Sequence, residues 1–173
     1  MPKKGETSMM LLKRILVATD FSEPSDAALA YGRELARSFG AQLTVLHIAD
    51  NLASRAYGAD GFVLTEPDLQ REVEESARKR VEALLSDEDR DVLRAQGLVC
   101  SSSSTAMAIV EFARESNIDL IVMGTHGRGA MAHLLMGSVA ERVVRMAPCP
   151  VLTVRHPEHE FVLPDALVAF AKA

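Results

Sequence analysis

The order of apolar runs and helical segments predicts an α/β fold: a five-stranded, parallel, doubly wound sheet with helices on both faces. Two observations carry this. Residues 15–18 (ILVA) and 118–123 (IDLIVM) are short, nearly continuous apolar runs, the pattern of strands buried on both faces. Segments with helical periodicity separate the successive runs, so strand and helix alternate along the chain.

Taken in order, residues 1–12 read as a flexible N-terminal arm, and the first strand (15–18) closes on Thr19-Asp20. Ser22 or Ser25 can cap the first helix, with Pro24 near its first turn. Ala27, Ala28, Tyr31, Leu35, Ala36 and Phe39 recur at helical spacing, and Gly40 ends the helix as a C′ glycine. Residues 41–48 (AQLTVLHI) form the second strand, and 49–66 read as a surface loop. A helix follows from Pro67 to about Leu85, with Leu69, Val73, Ala77, Val81 and Leu84 on one face. The acidic run at 86–91 reads as a solvated helix end or continuation, because it lacks the glycine and spacing of a calcium loop. A third strand at 98–102 runs into four serines, of which Ser103 or Ser104 can cap a helix over 105–115. The fourth strand, 118–123, is followed at once by Gly124, and residues 150–154 (PVLTV) form the fifth. Residues 156–173 read as a helical tail whose apolar side chains (Phe161, Leu163, Leu167, Val168, Phe170) must dock somewhere.

The 173 residues suit one domain with short extensions, and 48% apolar content is enough for a sizeable core. A net charge of −5 provides no electrostatic footprint for nucleic acid. No apolar run approaches the roughly 18 residues of a membrane span. Lys13 and Arg14 interrupt the N-terminal apolar stretch, which argues against a secretory signal. Neither nucleic acid nor membrane is therefore expected as a partner. Cys100 and Cys149 lack metal-ligand spacing and read as buried, reduced thiols of a cytoplasmic protein.

The chemistry concentrates in residues 123–139, where Gly124, Gly127 and Gly137 stand in a G-x2-G-x9-G-S arrangement and Ser138 opens a helix. Glycine at 124 and 127 permits positive φ and close approach of backbone to phosphate oxygens. Gly137, Ser138 and Val139 would present free amide N–H groups at a helix start, where the dipole also favours an anion. Arg128 could add a charge-assisted contact. Taken on spacing alone, the glycines could equally make only a turn, and Ser138 could be only a cap. The segment is neither a Walker loop nor a GxGxxG opening a helix. In a doubly wound sheet, ligands bind where strand order reverses, so Thr19-Asp20 and Gly124-Thr125 form one site if they adjoin. Asp20 could instead be only a helix-entry cap. His126 reads as solvent-facing, and His133 is given no role.

The stretch GTHGRG…MGSVAERVVRMAPCPVLTV resembles the C-terminal signature of universal stress proteins, and ILVATDFSEPSDAALAYGRELARSFGAQLTVLHI resembles their N-terminal half. The resemblance covers roughly residues 13–155. It implies an adenine nucleotide α-hydrolase-like sheet with strand order 3-2-1-4-5. It also implies the ATP-binding branch, whose members keep the glycine pattern intact, and homodimers joined through the last strand. By position it implies that Ala18, Thr19 and Asp20 line the adenine and ribose side and that Ile48 closes the adenine slot. Met123 and Gly124 would contact the nucleoside, and Gly127, Gly137, Ser138 and Val139 the phosphates. Four serines, Ser101 to Ser104, stand where the family has a glycine-containing turn.

The expected function is therefore a dimeric ATP-binding stress or regulatory protein with little or no turnover, holding ATP (or ADP or AMP) with Mg²⁺. Two competing readings are a Mg²⁺-dependent ATP hydrolase and a dimeric partner-binding module whose loop stays empty.

Overall fold

The computed structural model describes residues 11–52, 67–126 and 136–155. Its elements are β1 (Arg14–Ala18), α1 (Glu23–Phe39), β2 (Gln42–Asp50), α2 (Pro67–Leu84), α3 (Asp87–Leu93), β3 (Gln96–Ser102), α4 (Thr105–Glu115), β4 (Leu120–Gly124), α5 (Ser138–Met146) and β5 (Val151–Val154). The five strands form one sheet in the order β3-β2-β1-β4-β5, with every neighbouring pair parallel. Strand order reverses beside β1, where Ala18 pairs with Leu46 on one side and Met123 on the other.

Side chains alternate across the sheet as the strand period requires. Ile15, Val17, Leu43, Val45, Leu120 and Val122 face α1, α2 and α3 in one core. Leu16, Leu46, Ile48, Ile121 and Met123 face α4 and α5 in the other. Burial on both faces explains the uninterrupted apolar runs. Leu12, placed in the arm by the sequence, is buried in the first core. β2 runs two residues beyond Ile48, because it pairs with β3 as far as Asp50 and Ser102.

The buried face of α1 differs from the one expected. Tyr31 and Phe39 are 42% and 45% exposed. The helix buries Ser25, Leu29 and Gly32 alongside the expected Ala28 and Ala36. Gly32 decides this orientation: a Cβ there would lie 2.4 Å from Val17 Cγ2, so only glycine lets the helix lie this close to β1. Ser22 is the N-cap residue, and its amide donates to Ser25 Oγ at 3.0 Å. Gly40 ends the helix with φ of 63°. On α2, Ala77 and Val81 are buried as expected, whereas Leu69 is exposed.

Gly124 performs a packing role rather than the positive-φ role expected of it, since Gly40 is the described glycine with positive φ. A Cβ at Gly124 would stand 2.9 Å from Pro24 Cβ and 3.0 Å from the Pro24 carbonyl carbon. The first turn of α1 therefore rests directly on the end of β4.

The acidic run at 86–91 is not simply a solvated helix end. It forms the short helix α3, in which Ser86 Oγ accepts from Asp89 N at 3.1 Å and Asp89 Oδ2 accepts from Ser86 N at 3.0 Å. Asp89 is only 2% exposed. Arg33 on α1 donates from Nε to both its carboxylate oxygens (3.0 and 3.1 Å) and from Nη2 to Oδ2 (2.9 Å). The cysteines also depart from expectation: Cys100 is exposed and Cys149 half-buried. Burial, aided by the nearby Asp119 charge, pushes the Cys149 thiol upward and makes it a poor nucleophile.

Two outcomes follow from these contacts. Gly124→Ala should cost about 1–3 kcal/mol in urea unfolding, as expected of overpacking against backbone that cannot retreat. Burial acts to raise the Asp89 carboxyl, but the Arg33 and Ser86 hydrogen bonds outweigh it and hold the group below the usual carboxylate range. The stability it contributes is therefore present above the unfolded-state value of about 4 and is lost as pH falls through the lower folded value. Asp89→Asn should cost about 2 kcal/mol at neutral pH and should flatten the acid limb of a stability-against-pH curve.

Candidate functional site

The carboxyl ends of β1, β2 and β4 open into a cleft of about 990 Å³, at the upper end of the range for small-molecule sites. Its lining includes Ala18, Thr19 and Asp20 from the end of β1, Ile48 from β2, and Met123 and Gly124 from β4. Gly137, Ser138 and Val139 line it from the start of α5. The structure thus brings nine of the expected residues to one cleft at the point where strand order reverses. Gly127 and Arg128 lie outside the described residues, as do His133 and the tail from residue 156 onward.

The turn after β1 is held by its own short side chains. Phe21 N donates to Thr19 Oγ1 at 3.0 Å, and Thr19 Oγ1 lies 3.1 Å from Ser25 Oγ. Asp20 Oδ1 accepts from Ser22 N at 3.2 Å and from Ser22 Oγ at 2.5 Å. Asp20 therefore orders the turn that leads to the N-cap Ser22 and does not itself cap α1, and it also lines the cleft. These bonds join Thr19 and Asp20 to the start of α1 at the mouth of the sheet.

The start of α5 differs from expectation in one respect. Gly137 N is not a free donor, because it donates to the Thr125 carbonyl at 2.8 Å. A Cβ on Gly137 would lie 3.2 Å from that carbonyl oxygen, so the glycine serves the close approach of the two chain segments. Thr125 N in turn donates to Val154 O at 2.8 Å, tying the segment to β5. Among the described residues no side chain caps α5, and Gly137 O accepts from Glu141 N at 2.9 Å. The amides left for a ligand are those of the first turn, Ser138, Val139 and Ala140, all three in the cleft lining. His126 is half-buried rather than solvent-facing: its Nδ1 lies 3.1 Å from Thr125 Oγ1 and its residue lines the cleft.

The opposite side of the cleft was not foreseen. Glu72, Val73, Ser76, Ala77 and Arg80 of α2 line it, together with Phe21, His47 and Asp50. The alternating charges of α2 give no signal that some face a ligand cleft, since a solvated helix face reads the same way. Thr105 and Ile109 of α4 complete an apolar slot with Ile48 and Met123. The cleft thus joins that slot to a row of amide donors, an arrangement suited to a planar apolar group carrying an anion.

Comparison with known proteins agrees with this architecture. The sequence model of the universal stress protein family matches residues 12–155. A universal stress protein of Methanocaldococcus jannaschii, MJ0531, is 34% identical over 150 residues, covering 87% of this chain and 86% of its own length. One from Thermus aquaticus is 38% identical over 147 residues, covering 84% of this chain and all of its own. The solved structure of MJ0577 superposes with a TM-score of 0.70 at 26% identity, covering 86% of this chain and 99% of that one. The chain belongs to the universal stress protein family.

Proposed function

We propose that this protein binds an adenine nucleotide, ATP in the first instance, as a stress-response or regulatory protein with little or no turnover. One observation carries the reading: the Thr19-Asp20 turn and the first-turn amides of α5 open into a single cleft across the reversal of strand order. The adenine would occupy the slot between Ile48, Ile109 and Met123, the ribose would meet Asp20, and the phosphates would meet the amides of Ser138, Val139 and Ala140. Family membership and the intact glycine pattern support the same ligand.

Among the described residues no group of three His, Cys, Asp or Glu gathers to hold a metal. A Mg²⁺ accompanying ATP would therefore be held on phosphate oxygens, with Asp20, Asp50 and Glu72 as the carboxylates in the cleft lining. When bound, it would neutralise phosphate charge.

A proline at position 138 isolates the role of the helix start. Gly137 has φ −72° and ψ 154°, the conformation that a residue before proline adopts, so Ser138→Pro removes one donor amide and the hydroxyl while leaving the helix intact. By calorimetry, wild type should bind ATP and Ser138→Pro should bind about tenfold or more weakly, with melting temperatures within about 3 °C. Equal affinity would remove the phosphates from this helix. Sustained, Mg²⁺-dependent release of ADP or AMP by the wild type would instead favour a hydrolase.

We further propose a homodimer paired through β5, which is an edge strand whose Val151, Leu152 and Thr153 are only half-buried. Light scattering should give twice the chain mass for wild type, and Leu152→Asp should shift it toward the monomer. A monomeric wild type at micromolar concentration would contradict this pairing.

A further inference from the structure

Phe21 sits in the turn that carries Thr19 and Asp20, and its φ of 64° is an uncommon value for a bulky side chain. A backbone of that kind persists only when its surroundings over-determine it. Here the surroundings form a stack. The Phe21 and His47 ring centroids are 4.4 Å apart, and the Arg80 guanidinium carbon lies 3.8 Å from the Phe21 centroid. The His47 end of the stack is anchored to the same turn, because the Thr19 carbonyl accepts from His47 Nδ1 at 2.8 Å. The Arg80 end comes from α2, whose Val81 shares the first core with Ile15 and Val17 of β1. All three residues line the cleft.

We propose that Arg80 is a positioning residue for nucleotide binding: by lying on the Phe21 ring it holds the β1–α1 turn in the conformation that keeps Asp20 at the cleft. The inference rests on the nucleotide reading and extends it to a helix that carries none of the glycine motif. A guanidinium over an aromatic face contributes more than its packing, since the ring quadrupole attracts the cation. Lysine keeps that attraction in part, whereas leucine keeps only bulk. Arg80 acts through the turn, so its effect should depend on Asp20.

The experiment is a double-mutant cycle on the full chain, read by ATP affinity, with melting temperature as the folding control. Arg80→Leu should weaken ATP binding about five- to tenfold with a melting temperature within about 3 °C of wild type, and Arg80→Lys should recover most of the affinity. In an Asp20→Ala background, Arg80→Leu should change affinity by less than about twofold, because the residue being positioned is gone. Wild-type affinity in Arg80→Leu overturns the inference while leaving the nucleotide reading in place. A full-sized loss in the Asp20→Ala background also overturns it, since Arg80 would then meet the nucleotide independently of the turn. Absence of ATP binding by wild type overturns the nucleotide reading, and this inference with it.

Discussion

The close approach of α1 to the sheet organises both the core and the cleft. Two glycines set it: Gly32, where a Cβ would strike Val17, and Gly124, where a Cβ would strike Pro24. With the helix seated at both points, its first turn lies over the end of β4, and the Thr19–Ser22 turn is directed over the reversal of strand order. Burial of β1 and β4 on both faces makes this packing rigid, because neither strand can shift without disturbing the opposite core. Small side chains therefore fix the place of the site before any ligand contact is considered.

Within that frame the start of α5 gives the cleft amides and a helix dipole suited to an anion. First-turn amides and a helix dipole bind negative charge without titrating. One oxygen of Asp20 is already engaged by Ser22, which holds the carboxylate at the turn. The Gly137–Thr125–Val154 chain of backbone bonds connects the start of α5 to β5. If β5 is the dimer edge, that chain gives nucleotide occupancy and subunit pairing a physical connection.

Much of the fold was legible from local signals. The ILVA and IDLIVM runs marked the central strands, and Ser22, Pro24 and Gly40 bracketed α1 by their own conformational preferences. The motif residues Gly124 and Gly137 stand at the end of β4 and the start of α5, both of which line the cleft. The misread features depend on partners far away in the chain. Tyr31 and Phe39 fit the helical period as well as Leu29 and Gly32 do, and only contact with Val17 decides which face turns inward. Asp89 looks solvated in an acidic run, yet Arg33 lies 56 residues earlier and buries it. The Gly137 amide appears free until the Thr125 carbonyl is placed beside it, and nothing in the α2 sequence distinguishes Arg80 from its solvated neighbours.

The central claim is that two distant chain segments form one nucleotide site, and an amide-resolved NMR titration with ATP tests it most directly. The amides of Thr19 and Asp20 and those of Ser138, Val139 and Ala140 should shift together and saturate at the same ATP concentration. Shifts confined to one segment, or different saturation points for the two, would contradict a single shared site.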